Sequence, residues 1–209
     1  MCSSDLHDLT LNRALSLADA VVDLAHELVH YNEKGMLDPY KSGFEVSKFI
    51  RSGIEGEGGE LAALEMECKI AWSFEEKFEG FPEHRLCVRY KRAGHRFAKE
   101  VARLDYYAVG AWMENLPPSL REKIPEISER ASVFMSSYAN KPYPVALAEE
   151  YWATRQLACK NNRKKFQLIA AQSATGRSIA SLELKEEQRR LQDYEERYCM
   201  PTKVEVFDN

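Results

Sequence analysis

Leu11, Leu15, Ala18, Val21, Val22, Ala25, Leu28 and Val29 recur at spacings of three and four, drawing one broad apolar stripe along a helix. The pattern predicts that helix from about Leu11 to Lys34, with Thr10 as its N-cap and Gly35 as its C-cap. Inside it stands His26-Glu27-Leu28-Val29-His30. Residues four apart share a helix face, one turn above each other. The two imidazoles can therefore offer nitrogen to a single Zn²⁺, which accepts such ligands at about 2.0–2.1 Å in tetrahedral sites. Glu27 lies about 100° around the helix from His26. That is the place of a general base beside a zinc-activated water.

Composition limits the alternatives. The 209 residues fit one domain with a helical appendage, and 44% hydrophobic with 30% charged residues is ordinary for a helical protein. The net charge of −4 supplies no global attraction for nucleic acid, so no nucleic-acid partner is expected. No apolar run has the length of a membrane span, and the opening residues show no signal-peptide pattern. Synthesis in the cytoplasm is expected, with any secretion independent of such a signal. Five cysteines, widely spread and without a C-x-x-C pair, argue against both a disulfide framework and a cysteine-rich zinc site, and for a reducing compartment.

Helical periodicity is nearly continuous, and the fold class expected is mainly α. After a link at Met36–Lys41, residues Phe44 to Ile54 read as a short helix or a loop. Further helices are predicted over Glu60–Phe78, Pro82–Asn115, Leu120–Tyr138, Val145–Cys159 and Gly176–Tyr198. Residues 1–10 read as a disordered or artefactual start, and the tail from Pro201 as disordered. The expected organisation is an HExxH-bearing helical domain over 11–80 and a helical region over 81–200 packed on it.

Two histidines and a water leave a tetrahedral metal one protein ligand short. The segment Ile54-Glu55-Gly56-Glu57-Gly58-Gly59-Glu60-Leu61-Ala62-Ala63-Leu64-Glu65 supplies the candidates. Glu60 is preferred, because it opens a helix after a glycine pair that lets the backbone come close to the first helix. Glu55 and Glu57 are candidate acceptors for the outer imidazole N–H groups, and Glu65 is the rival ligand.

His26-Glu27-Leu28-Val29-His30, followed by Phe49-Ile50-Arg51-Ser52-Gly53-Ile54-Glu55-Gly56-Glu57-Gly58-Gly59-Glu60, resembles zincin metallopeptidase domains. The likeness is to gluzincin-type domains of bacterial polymorphic toxins and secreted effectors, and it covers about Leu11 to Phe78. It implies His26 and His30 as zinc ligands, Glu27 as base and a downstream Glu as third ligand. It also implies a protein or peptide substrate and an immunity protein as a further partner. Metzincins place a third His six residues past the motif, where this chain has Met36. Zincins carry a β-sheet ahead of the metal-binding helix. Only about ten residues precede the helix here, so the expectation is an N-terminally truncated, zincin-like helical subdomain with a helical C-terminal extension.

Other features weigh less. Arg85, Arg89, Arg92, Arg96, Lys99 and Arg103 would form a basic face on the Pro82–Asn115 helix, read as a solvated surface balanced by nearby glutamates. Glu57-x-x-Glu60 is similar to the Mg²⁺-binding helix of all-α nucleotide pyrophosphohydrolases, but Glu100 and Asp105, five apart, do not supply the second acidic pair. The non-enzymatic alternative is a helical interaction protein in which the two histidines are incidental.

Overall fold

The computed structural model describes residues 14–33, 37–174 and 181–199. It is 68% helical and 6% strand, which makes the fold mainly α. The first helix, α1, spans Leu17–Glu33 and starts later than its apolar stripe suggests. Ser16 caps it: the Asp19 amide donates to Ser16 Oγ at 3.1 Å, and Ser16 Oγ donates to the Asp19 carboxylate at 2.8 Å. The caps expected at Thr10 and Gly35, the opening residues 1–10 and the tail from Pro201 lie outside the described residues.

The chain divides into two compact units. The first comprises the described residues up to Leu37 together with Glu45–Ala148. Here α2 (Val46–Glu55) and α3 (Glu60–Lys77) follow α1. Residues Phe44 to Ile54 are thus mostly helix rather than loop. Helix α3 is the hub, packed by α1, α2, α4 (Arg85–Tyr90) and α5 (Lys99–Tyr106). That position explains the wide face it buries: Leu61, Ala63, Leu64, Cys68, Ala71 and Trp72. Ile50, Ile54, Tyr90, Tyr106, Leu120 and Ile124 close the core around it. Each of the buried Ile and Leu side chains stabilises the fold by roughly 1.5–3 kcal/mol relative to exposure.

The single helix expected over Pro82–Asn115 is not formed. It breaks into α4, a hairpin of β1 (Lys91–Arg92) and β2 (Arg96–Phe97), α5, and a 3₁₀ turn at Gly110–Asn115. The antiparallel hairpin pairs Lys91 with Phe97 and Arg92 with Arg96, and its turn takes positive φ at Gly94 and His95. The basic face is dispersed with it. Arg89 binds the buried Asp105, whereas Arg103 binds Glu100 and Glu126. The helix expected over Leu120–Tyr138 is also corrected, to α6 (Pro118–Lys123). Ile124, held out of the helical region before Pro125, ends it at φ −130° and ψ 78°. A second two-residue hairpin, β3 (Met135–Ser136) with β4 (Lys141–Pro142), leads to α7 (Tyr143–Ala174).

The second unit comprises Asp38–Phe44 and the chain from Glu149 onward. It contains most of α7, which runs well past the expected end at Cys159, then α8 (Ser181–Tyr194) and a π-helical turn at Glu195–Cys199. Asn162 donates to the Leu191 carbonyl at 2.9 Å, and Arg163 pairs with Glu195 at 2.6 Å. Among the described residues, no helix is long and apolar enough to cross a membrane.

The cysteine expectation is overturned. Cys68 on α3 is bonded to Cys87 on α4, and Cys159 on α7 to Cys199. The partners are 19 and 40 residues apart in sequence, and only folding brings them together. Such bonds form and persist in oxidising surroundings, not in the reducing compartment that cysteine spacing suggested.

Candidate metal centre

The site is assembled from α1 and from the glycine-rich connection that enters α3. Gly59 is the N-cap of α3 and passes over the end of α2. A Cβ there would meet the Gly53 carbonyl oxygen at 2.9 Å, closer than real Cβ atoms come, and those of Ile54 and Gly56 at 3.0 Å. The close approach is thus to the end of α2. Contact with α1 comes from its neighbour Gly58, at φ +66°, whose carbonyl accepts the Nδ1–H of His30 at 2.7 Å. This path delivers Glu60, the first residue of α3, into the interior at 7% exposure.

His26 and His30 lie one turn apart on α1, edge to face with rings at 75°, and their Nε2 atoms are 3.2 Å apart. Glu60 reaches both. Its Oε2 lies 3.5 Å from His26 Nε2, and its Oε1 lies 3.6 Å from His30 Nε2. Ligands at about 2.0–2.1 Å on a tetrahedral zinc stand about 3.3 Å from one another. All three separations fall within a few tenths of an ångström of that edge.

The outer nitrogens fix which atoms face inward. A carbonyl can only accept, so His30 Nδ1 carries a proton toward Gly58. His26 donates its Nδ1–H to Glu67 Oε2 at 2.9 Å. With both Nδ1 positions so used, both Nε2 lone pairs point at the same small volume as the Glu60 carboxylate, the arrangement that outer-shell partners impose on metal-ligating histidines. The Oε2 atom of Glu60 is buried with no hydrogen-bond partner, an unusual cost for a carboxylate oxygen. These residues fit a zinc ion.

Without metal the same groups hold a proton. Burial opposes charge on His26 most strongly, but the neighbouring carboxylates of Glu60 and Glu67 outweigh it and raise the imidazole to about 10. Burial likewise opposes charge on Glu60, and His26 and His30 together hold its carboxyl well below the usual range.

Among the described residues, the donor group around the two histidines is completed by Glu60. The other glutamates named from sequence are placed elsewhere. Glu65, the rival ligand, is paired one turn along with Lys69 at 2.7 Å. Glu55 accepts from the Tyr107 hydroxyl at 2.6 Å and lies 3.6 Å from Arg51, and Glu57 is exposed. The outer-shell roles suggested for Glu55 and Glu57 fall instead to Glu67 and the Gly58 carbonyl. Glu67 was not foreseen, although its spacing of seven from Glu60 puts both on one face of α3. Glu27 is half-buried beside His26 on α1. The acids weighed for a magnesium site are occupied or apart: Asp105 by Arg89 and the Tyr90 hydroxyl, Glu100 by Arg103.

Comparison with known proteins finds no matching family model, no matching curated protein and no matching solved structure.

Proposed function

We propose that this chain is a zinc-dependent metallopeptidase of gluzincin type, with His26, His30 and Glu60 as ligands and Glu27 as general base. One observation carries the reading: two imidazole nitrogens and both oxygens of one buried carboxylate converge at separations of 3.2, 3.5 and 3.6 Å. Zinc, when bound, supplies a Lewis acid that polarises a peptide carbonyl and acidifies a neighbouring water. The residues of the chain do the rest. Glu67 and the Gly58 carbonyl keep each ring in the tautomer that presents Nε2. Glu60 contributes negative charge at a site closed to most solvent. Glu27 takes the proton of the attacking water and returns it to the leaving amide nitrogen, so the peptide bond breaks with no net proton change.

A peptidase built on this resemblance would act on protein or peptide substrates as a secreted bacterial effector or toxin, with an immunity protein as its natural antagonist. The two disulfides favour a life outside a reducing cytosol. Among the described residues, the strands are two-residue hairpins and offer no long edge for an extended peptide. The alternative is a non-catalytic helical interaction protein, favoured by the ion pairs that His26 makes with Glu60 at 3.5 Å and with Glu67 at 2.9 Å. Hydrolysis of a fluorogenic peptide library separates them. The peptidase reading expects zinc-dependent cleavage that Glu27→Gln abolishes while zinc stays bound; cleavage unaffected by Glu27→Gln would overturn it.

A further inference from the structure

Glu67 has a second neighbour. Its Oε1 faces His84 Nε2 at 3.7 Å, and His84 Nδ1 stands 3.2 Å from Cys87 Sγ. Glu67, His84 and Cys87 each bring one donor atom to within 4.8 Å of the others. Cys87 Sγ is meanwhile bonded to Cys68 Sγ, so a second sulfur lies at the same spot. Zinc binds thiolates, and a disulfide offers none. The site is locked by oxidation.

We propose that reduction of Cys68–Cys87 creates a second zinc site from Glu67, His84, Cys87 and Cys68. Two thiolates, one imidazole and one carboxylate form a four-donor set that suits zinc. The chemistry balances with a dithiol as reductant. It gives two electrons and two protons, the Cys68–Cys87 bond breaks into two thiols, and the reductant closes its own disulfide. Zinc then displaces the two thiol protons to water. Two sulfurs on one zinc stand about 3.7 Å apart, so they need only separate from bonding distance. His84 and Glu67, at 21% and 12% side-chain exposure, give the ion a route to the buried sulfurs. Glu67 also holds His26 through its other oxygen, but none of His26, His30 or Glu60 is a ligand here, so this inference does not rest on the peptidase reading.

Titrating the full-length chain with Co²⁺, before and after reduction by a phosphine, tests it. The reduced protein should take up about one further equivalent, with a thiolate-to-cobalt charge-transfer band absent from the oxidised protein. Cys159→Ser should keep that band, and His26→Ala/His30→Ala should keep it while losing the other equivalent. Cys87→Ser should abolish it. His84→Ala, which leaves the disulfide intact for folding, should weaken the second equivalent at least tenfold. A reduced wild-type protein without the band would overturn the proposal. So would a band that survives Cys87→Ser, is lost in Cys159→Ser, or is unchanged in a His84→Ala protein whose circular dichroism is native.

Discussion

Glu67 accepts the Nδ1–H of His26 across the α1–α3 interface at 2.9 Å, and that bond decides which nitrogen His26 turns toward Glu60. Loss of the acceptor frees the ring to change tautomer or rotate. Glu67→Ala is expected to weaken zinc binding by about 10–100-fold. Competition against a chelator of known affinity measures the change, and an affinity equal to wild type would remove Glu67 from the account.

The glycine pair before α3 sets where Glu60 enters. Gly58→Ala forces a side chain into the left-handed region, at a cost of about 1–2 kcal/mol. Gly59→Ala drives a methyl into three carbonyl oxygens and is expected to be the more destabilising of the two. Urea unfolding gives both values. The reverse order would show that the backbone yields at Gly59 more readily than its contacts suggest.

Stability should fall in acid partly through Glu126. Hydrogen bonds from Arg51, foremost, and then Arg103 hold its carboxyl below the ordinary value of 4.5, although burial opposes them. Because the folded value is the lower one, this contribution is complete above 4.5 and is lost as pH falls through the folded value. Comparing Glu126→Gln with wild type across that range isolates it. The two should differ near neutrality and converge in strong acid; a constant gap would mean that the charge on Glu126 is irrelevant.

The convergence of His26, His30 and Glu60 was legible because its signals are local. The four-residue spacing of His26 and His30, and the helix start at Glu60, are set by neighbouring residues alone. Glu67 was harder to see. Glu60, Glu65 and Glu67 are chemically alike on one helix, and only the packing of α3 against α1 decides which of them face the histidines. Helix α4, the hairpin and α5 were misread because Leu86, Tyr90, Ala93, Phe97, Val101 and Leu104 keep helical spacing across the Gly94 turn. Ala93 and Leu104 prove exposed, so the stripe was no single face. The disulfides were invisible for a different reason: their cysteines meet only through tertiary contacts.

His26, His30 and Glu60 are proposed to hold one zinc ion. Metal analysis of the oxidised, zinc-supplemented protein and its variants tests this most directly. About one zinc per chain is expected in wild type and Glu27→Gln, and none retained through dialysis in His26→Ala, His30→Ala or Glu60→Gln. A wild-type protein free of zinc, or full occupancy in natively folded Glu60→Gln, would contradict it.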